Sequence, residues 1–397
     1  MQQLLNILLL GTGGRERALA RNLLRSERCG RLFMQLRDVP GAHYADFNSM
    51  DFEEIARFCG QNDIHILLPG PEKPIVDGLA DAIDSNPLAP STRVIAPAAI
   101  AARLEGSKEF AKEFMAEEGI PSPRFMPVDK ETLHEGLSFL ESLPGPYVLK
   151  ADGLAEGKGV VITPELSEAK DTLEEMINGL FGDASEKVIV EEYVEGPECS
   201  IIIATDGEDY LILPPARDYK RRYDGDCGPN TRGMGAYSPV EFADADFMGK
   251  VEKRIIIPTL KGLKDRDIPY RGFLYLGIMN IEGEPILIEY NVRLGDPETQ
   301  AVLPRLDSDF VEVLEGIADS TIGIKRIEVS PMASAAVVVM RDGRRVTTIC
   351  GMAPDVAQAA DRAYADIRAA LMSGAERAVG IEFRSDIGRT APDSDRQ

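Results

Sequence analysis

The stretch Tyr147–Thr163 reads YVLKADGLAEGKGVVIT, with a short apolar run on each side of a glycine-rich loop. Phosphoryl transfer needs positive charge beside a triphosphate and a mobile cover that excludes water, and this stretch can supply both. It differs from the pattern G-x-x-x-x-G-K-[ST] because Gly159 follows the loop lysine. A structural hairpin with incidental lysines is the alternative. The residues that carry the functional interpretation are Lys150, Gly153, Gly157, Lys158 and Gly159.

The segments around this loop predict a small α+β layer. Two strands, Tyr147–Lys150 and Val160–Thr163, are followed by a helix at Ser167–Leu180 and a strand at Val188–Tyr193. Upstream, a helix over residues 107–118 has a serine at its start, a residue type that caps helices. We expect residues 122–192 to form a mobile lid over a nucleotide cleft.

The first hundred residues alternate short apolar runs with helical stretches. This rhythm is typical of a parallel, doubly wound sheet. The expected strands are Leu4–Leu10, Arg31–Leu36, Ile64–Leu68 and Arg93–Ile95, and the expected helices are Arg15–Leu24, Phe52–Cys59 and Val76–Ile83.

Residues 198–330 alternate in hairpin fashion and predict an antiparallel sheet. One hairpin pairs Cys199–Ala204 with Tyr210–Leu213, and a second pairs Met279–Ile281 with Ile286–Tyr290. The last segment predicts a hairpin around Asp342-Gly343, a helix over residues 356–371 and a final strand. The predicted fold is therefore α/β and α+β multidomain: a doubly wound domain (1–104), a central pair of domains that includes the lid (105–330) and a small C-terminal α+β lobe (331–397).

Composition limits the possible partners. Asp and Glu outnumber Lys and Arg by 66 to 44, which gives a net charge of −22. Such a chain repels polyanions, so we expect no nucleic acid and no anionic membrane as a partner. The five cysteines are widely spaced without a CxxC pair, which favours a reducing compartment and a cytoplasmic location. The apolar run at the start is too short to span a bilayer.

A second glycine motif, Gly11–Glu16, follows the first predicted strand and reads GTGGRE. Backbone N–H groups at the start of the next helix favour an anion there, although a glycine turn is also an ordinary way to end a strand. The dinucleotide fingerprint needs a third glycine where Glu16 stands, which weakens that interpretation. Pro69–Glu72 follows another strand at the same sheet edge, where α/β sheets bind ligands.

The segment Glu191–Glu198 ends a strand with the sequence EEYVEGPE. It offers backbone groups and an apolar wall to a flat base, followed by carboxylates for ribose hydroxyls. An edge-strand charge cluster is the alternative, but the position after the glycine loop favours a nucleotide.

A third motif lies on the last predicted strand of the antiparallel sheet. Glu289, Asn291 and Arg293 alternate onto one face, whereas Ile286 and Ile288 are expected on the buried face. Two hard oxygen ligands beside a guanidinium suit Mg²⁺ bound to phosphate. An exposed polar strand face is the alternative.

A long polar, glycine-rich segment runs from Asp218 to Ser238 and contains Lys220. A loop so dense in charge inside a compact domain is usually functional.

In this order the motifs resemble those of ATP-grasp ligases and, at finer grain, of the phosphoribosylamine–glycine ligase family. The resemblance extends from residue 6 to about residue 388. The segments that carry it are GTGGRE, Gly70-Pro71-Glu72, Leu104–Lys108, KADGLAEGKGVV, the loop from Asp218, and IEYNVRLGDPETQ from Ile288.

The resemblance implies ligation of glycine to 5-phospho-D-ribosylamine with ATP and Mg²⁺ or Mn²⁺, through a glycyl phosphate. It implies ATP binding by Lys108, Lys150, Gly153, Gly157, Lys158, Gly159, Glu191, Glu192, Tyr193, Val194 and Glu198. It implies metal binding by Glu289 and Asn291, and catalytic roles for Arg293, Lys220 and Asp218. It also implies substrate binding by Gly13, Gly14, Arg15, Glu16, Pro71, Asp296, Pro297 and Glu298, in a monomer or weak homodimer.

Four departures from the family pattern stand out. Arg17 replaces a usual histidine, the loop after the second strand lacks the usual PGN-type stretch, Arg232 replaces a glycine, and the segment between Met340 and Val346 is short. Another ATP-grasp carboxylate–amine ligase, or a catalytically impaired nucleotide-binding relative, therefore remains an alternative at this stage.

Overall fold

A computed structural model shows the fold and describes residues 4–154, 159–182, 186–373 and 380–389. Its first layer is a five-stranded parallel sheet in the order β3-β2-β1-β4-β5, which confirms the predicted doubly wound domain. Its strands are β1 (Leu5–Leu10), β2 (Cys29–Met34), β3 (His43–Tyr44), β4 (Ile66–Pro69) and β5 (Arg93–Val94). Its helices are α1 (Gly14–Leu23), α2 (Phe52–Gln61), α3 (Glu72–Val76), α4 (Leu79–Asp84) and α5 (Ala99–Gly106).

One helix prediction for this layer was wrong. The stretch expected to be a single helix over residues 76–83 is divided between α3 and α4. Gly78 lies between the two helices with φ of +91°, a left-handed conformation that interrupts the helix and that glycine adopts without a side-chain clash. The following helix, α6 (Lys108–Glu117), begins as predicted, because the Ser107 hydroxyl accepts a hydrogen bond from the Phe110 N–H at 3.2 Å.

The next layer is a four-stranded antiparallel sheet in the order β6-β9-β7-β8. It has its own apolar core, to which its two helices contribute Leu140 and Leu173. This unit corresponds to the lid that we predicted over residues 122–192. Its elements are β6 (Phe125–Val128), α7 (Leu133–Ser142), β7 (Tyr147–Ala151), β8 (Val160–Thr163), α8 (Leu166–Ile177) and β9 (Val188–Glu192).

A second antiparallel sheet, in the order β11-β10-β16-β17, contains both predicted hairpins. Its apolar residues join those of the parallel sheet in shared cores, so the two layers pack directly against each other. The strands are β10 (Glu198–Thr205), β11 (Tyr210–Ile212), β16 (Gly272–Ile281) and β17 (Glu284–Asn291). The helices after β11 and β17 are α9 (Ala245–Val251), α10 (Ile257–Asp265), α11 (Glu298–Val302) and α12 (Phe310–Ala318).

The C-terminal sheet combines strands from distant parts of the chain. Its order is β12-β15-β18-β19, with β20 paired to β18, and α13 packs against it. Two of these strands precede residue 330, so the predicted boundary of the C-terminal lobe falls inside a continuous packing unit. The elements of this sheet are β12 (Arg217–Asp218), β15 (Gly235–Ser238), β18 (Ala333–Arg341), β19 (Arg344–Ala353), α13 (Val356–Ser373) and β20 (Ile381–Glu382). Between β12 and β15, β13 (Arg221–Tyr223) and β14 (Cys227–Asn230) form a separate two-stranded hairpin.

Candidate active site

A cleft of about 950 Å³ lies where the lid, the second antiparallel sheet and the edge of the parallel sheet meet. Most of the predicted site residues line it. These are Arg15, Lys108, Lys150, Gly159, Glu191, Glu192, Tyr193, Val194, Glu198, Asp218, Lys220, Glu289, Asn291, Arg293, Asp296 and Glu298. The predicted residues Gly157 and Lys158 lie outside the described part of the chain.

Two lysines flank one buried carboxylate on the lid side of the cleft. Lys150 at the end of β7 and Lys112 on α6 both form ion pairs with Glu191 on β9. Burial opposes the charge on Glu191, but the two lysines outweigh it and keep the pKa of this carboxyl below its usual value. Burial also lowers the pKa of Lys112 to about 8. The cluster places more positive than negative charge beside the glycine loop.

Lys108, one turn before Lys112 on α6, reaches the start of the glycine loop. Its ammonium donates a hydrogen bond to the carbonyl of Gly153 at 3.2 Å. The carboxylate of Asp152 in turn accepts from the Glu109 N–H at 2.7 Å, which ties the loop to the start of α6. Burial lowers the pKa of Lys108. Gly153 therefore contacts Lys108 through its backbone carbonyl, and it does not line the cleft.

The wall next to this cluster suits a flat base. Apolar side chains from β7, β8 and β16 face the strand end that carries Tyr193 and Val194. The carboxylate of Glu192 pairs with Arg124 at 3.0 Å, and the Glu192 N–H donates to the Arg124 carbonyl at 2.8 Å, so Arg124 holds this residue at the end of β9. The apolar side chains in question are Val148, Val160, Ile162 and Met279.

The face of β17 that lines the cleft depends on a bulge. Gly277 pairs with Glu289, whereas its neighbour Ile278 pairs with Leu287, so Ile288 is an extra residue in the strand. The bulge reverses the alternation: Leu287 and Tyr290 are buried, while Ile288 lines the cleft beside Glu289. The expectation that Ile286 and Ile288 mark the buried face was therefore wrong. Glu289, Asn291 and Arg293 nevertheless share the cleft, as predicted.

Arg293 is held by carboxylates behind it. Its guanidinium lies 2.9 Å from Glu105 and 3.8 Å from Glu72, and it donates to the Asn291 side-chain oxygen at 3.1 Å. Burial raises the pKa of Glu105, even though Arg293 counteracts it. The guanidinium is thus oriented before any ligand arrives.

A second group of charges that line the cleft lies on the segment 217–235, which we call the substrate loop. Lys220 forms an ion pair with Glu198 at 2.7 Å. Asp218 lies nearby, and burial raises the pKa of its carboxyl to about 7, although Lys220 counteracts this effect. Glu298 accepts a hydrogen bond from Ser200 at 3.0 Å, and Ser200 also contacts the Tyr275 hydroxyl at 2.9 Å.

The start of α1 is occupied by a side chain from the same helix. The Gly13 N–H donates to the Glu16 carboxylate at 2.6 Å, and Arg15 lies 2.8 Å from that carboxylate. Arg15 of this motif lines the cleft. Gly13, Gly14 and Glu16 lie behind the cleft wall. An anion on the Gly13 N–H would have to displace Glu16.

Pro71 and Pro297 also lie behind the cleft wall. Pro297 approaches Gly233 so closely that a Cβ atom there would lie 2.5 Å from the proline ring, and Gly233 has φ of +105°. Beside Gly233, Arg345 of β19 donates to the Gly233 carbonyl at 2.5 Å and pairs with Asp296 at 3.1 Å. These contacts fix the loop residue Arg232, which lines the cleft.

Sequence reasoning missed several residues of the site. Lys112 could have been found, because it follows Lys108 by one helical turn on the same face. Tyr275, Ser200 and Arg345 carried no local signal, since each becomes part of the site only through contacts with distant segments.

The residues predicted to bind a metal have suitable chemistry. Glu289 and Asn291 present oxygen atoms on one strand face of the cleft, and hard oxygens are the ligands that Mg²⁺ prefers. Within the described ranges, no group of three or more His, Cys, Asp or Glu side chains could hold a metal ion. A metal here would therefore need further ligands from a phosphate, which is how Mg²⁺ is usually bound in nucleotide sites.

Paired lysines, an apolar wall that suits a flat base and an acidic strand face line one cleft, as expected for an ATP-grasp enzyme. Two family models match the chain: the N domain of phosphoribosylglycinamide synthetase over residues 5–105 and its ATP-grasp (A) domain over residues 106–299. The chain belongs to the phosphoribosylglycinamide synthetase family.

Similar proteins agree with this assignment. A phosphoribosylamine–glycine ligase of Leptospira interrogans is 40% identical over 352 residues, which cover 86% of this chain and 80% of the relative. One from Xanthomonas campestris is 37% identical and covers 87% of this chain and 81% of the relative. The crystal structure of phosphoribosylamine–glycine ligase from Thermotoga maritima has a TM-score of 0.75 at 28% identity, covering 96% of this chain and 100% of that one.

A more distant match shows the fold alone. The biotin carboxylase domain of a Hydrogenobacter thermophilus 2-oxoglutarate carboxylase, solved with MgADP and bicarbonate, has a TM-score of 0.66 at 16% identity. It covers 91% of this chain and 89% of that one. In the described part of this chain, no helix is long and apolar enough to cross a membrane.

Proposed function

We propose that this protein joins glycine to 5-phospho-D-ribosylamine with ATP, giving glycinamide ribonucleotide, ADP and phosphate in purine biosynthesis. The observation that carries the proposal is one cleft that is lined both by lysines with an apolar wall suited to a base and by Asp218, Lys220 and Glu298. Membership of the family and the names of its relatives support the choice of substrates.

The reaction has two steps. A carboxylate oxygen of glycine attacks the γ-phosphorus of ATP, the bond to the β–γ bridging oxygen breaks, and ADP leaves. The amine of phosphoribosylamine then attacks the carbonyl carbon of glycyl phosphate. A C–N bond forms, the C–O bond to phosphate breaks, and the nitrogen loses one proton. Neither step needs a nucleophile from the protein, so positioning and charge stabilisation are the tasks of the site.

The charged residues can be assigned to these tasks. Lys108 and Lys150 bind the phosphates, and Arg293 stabilises the negative charge of the transferring phosphoryl group. The orientation of Arg293 by Glu105 and Asn291 supports this role, because a preoriented donor needs no rearrangement during the reaction. A Mg²⁺ or Mn²⁺ ion bound by Glu289 and Asn291 would neutralise charge on the β- and γ-phosphates.

Asp218 is the candidate proton acceptor for the second step. Its pKa of about 7 lies near the working pH of a cytoplasmic enzyme, where a general base is most effective. Lys220, held by Glu198 at 2.7 Å, keeps a positive charge beside it. Asp218 and Glu298 also provide negative charge for the ammonium group of glycine.

The phosphate of phosphoribosylamine needs cations at the far end of the cleft. Arg15 and Arg232 line that end, and Arg345 supports it through Gly233 and Asp296. These arginines are better candidates than the Gly13 N–H, which Glu16 already occupies. We also propose a cytoplasmic location, which the free cysteines of the structure support.

An assay of ADP release tests the proposal. The purified protein should release ADP from ATP only when glycine and freshly prepared phosphoribosylamine are both present, and glycinamide ribonucleotide should appear in equal amount. Release that needs a different carboxylate or amine would identify another ATP-grasp ligase. ATP binding without any turnover would identify an impaired relative, and either result would refute the proposal.

A further inference from the structure

The C-terminal segment Glu382–Gly388 lies against the back of the substrate loop. Asp218, Tyr219 and Lys220 of this loop all contribute to the lining of the cleft, but the Tyr219 side chain belongs to the apolar core of the C-terminal lobe. This division follows from the alternation of side chains along an extended chain. Whatever holds Tyr219 therefore fixes the direction of its two neighbours.

Arg384 is the central contact between the segment and the loop. Its side chain is fully buried, and its guanidinium donates to Asp226 at 2.7 Å and to the Arg221 carbonyl at 3.1 Å. The guanidinium also lies 4.7 Å from the centre of the Tyr219 ring. Two further bonds of 2.7 Å and 2.6 Å to Asp386 orient it. Charge-assisted hydrogen bonds of this kind are strong and directional.

Neighbouring contacts extend the same connection. The Ser385 N–H donates to Asp224 at 2.8 Å, and the Gly225 N–H donates to Asp386 at 2.9 Å. At the other end of the segment, the Gly388 N–H donates to the Tyr219 hydroxyl at 3.0 Å. The segment therefore both donates hydrogen bonds to the hairpin β13–β14 and accepts one from it. It also donates a hydrogen bond to Tyr219.

We propose that residues 382–388 act as a latch that holds the substrate loop in the cleft, and that Arg384 is a positioning residue for the ligation step. This inference rests on the proposed function, because it assigns the loop to the amine and glycine end. Arg384 does not line the cleft. It acts through Asp226, Arg221 and Tyr219 on the orientation of Asp218 and Lys220.

The kinetic test uses Arg384→Ala, with Arg389→Ala as the matched control. Arg389 directly follows the segment, but it pairs with Asp361 and lies over the Tyr364 ring of α13 and does not contact the substrate loop. A displacement of about 1 Å in a catalytic group can lower a rate roughly 100-fold. We therefore expect kcat/KM for phosphoribosylamine to fall roughly 100-fold in Arg384→Ala. The Kd for ATP, measured without the other substrates, should stay within about twofold of the parent value, as should all constants of Arg389→Ala.

A second variant protects the test against misfolding. Asp224 is exposed, so Asp224→Ala removes the Ser385 contact without leaving a buried charge. It should lower kcat/KM for phosphoribosylamine by roughly tenfold and leave the melting temperature unchanged.

A third measurement does not depend on activity. The chain has no tryptophan, so Tyr223→Trp on exposed β13 introduces a single reporter in the loop. Acrylamide should quench this indole more strongly when Arg384→Ala or Asp224→Ala is added.

The outcomes separate the two proposals. If the parent protein does not ligate glycine, the proposed function fails, and the indole quenching alone decides whether the latch holds the loop. If the parent is active but folded Arg384→Ala and Asp224→Ala keep kcat/KM for phosphoribosylamine within about twofold, the latch is refuted. Unchanged quenching in both variants would refute it as well.

Discussion

The two ends of the cleft are held in different ways. At the proposed ATP end, Lys112 and Lys150 both form ion pairs with Glu191, which joins α6 to the adjacent lid sheet. At the amine end, Asp218 and Lys220 lie on a loop that pairs with β18 through β15 and is bonded to residues 382–388. The first arrangement needs only neighbouring elements, whereas the second needs segments from the middle and the far part of the chain. The ATP end is therefore expected to tolerate changes in the C-terminal lobe, and the amine end is not.

The largest expected effect comes from the strand that both ends share. Changing Glu289 and Asn291 together to Ala should lower turnover by at least about 1,000-fold, because ATP phosphates would then lie in an acidic cleft without their metal. The fold should persist, since Glu289 is exposed. Metal-dependent nucleotide binding and ADP release are the measurements. Turnover equal to that of the parent protein in the double variant would show that the reaction needs neither residue.

A change at the ATP end should affect stability more than any change across the cleft. Glu191→Gln leaves Lys112 and Lys150 buried without their carboxylate, and breaking a buried pair in this way costs about 3–5 kcal/mol. Denaturant unfolding should show this loss. The matched control is Glu192→Gln, whose carboxylate pairs with Arg124 near the surface, and it should change the free energy of unfolding by less than about 1 kcal/mol. Equal losses in the two variants would contradict the burial argument.

A change at the amine end should leave ATP untouched. Arg345→Ala removes the contacts to Gly233 and Asp296, so the KM for phosphoribosylamine should rise about tenfold, which corresponds to about 1.4 kcal/mol. The Kd for ATP should not change. Arg344→Ala, at the exposed neighbouring position, is the control. A weaker ATP affinity in Arg345→Ala would contradict the prediction, because it would show that this arginine supports ATP binding.

The smallest effect concerns pH and stability. The folded protein holds the Asp218 proton up to a pH of about 7, whereas the carboxyl has its ordinary lower pKa in the unfolded chain. The unfolded chain therefore binds fewer protons between these values, and the contribution of Asp218 to stability falls as pH rises towards 7. Asp218→Asn should raise the melting temperature at pH 8 by about 2 °C or more relative to its effect at pH 5. The exposed variant Asp246→Asn should show no such difference, and a shift that is equal at both pH values in Asp218→Asn would contradict the raised pKa.

The difference between the two ends also explains what could be predicted from sequence. Lys150 and Glu191 belong to short motifs with fixed spacing, so local patterns identified them and predicted the lid. Arg345 and Arg384 reach the loop across more than a hundred residues of chain, and no periodicity reports such contacts. The bulge at Ile288 depends on which residues of β16 pair with β17, so the sequence of β17 alone does not predict it.

The position of Arg384 in the chain has a consequence for synthesis. A ribosome produces the lid and the second antiparallel sheet long before it reaches residues 382–388, and protein domains commonly begin to fold while synthesis continues. The nascent chain can then assemble its nucleotide-binding half while the loop that carries Asp218 still lacks the guanidinium behind Tyr219. The order of translation thereby delays catalytic activity until residues 382–388 have been synthesised. An unfinished chain would bind ATP but would not yet use it for ligation.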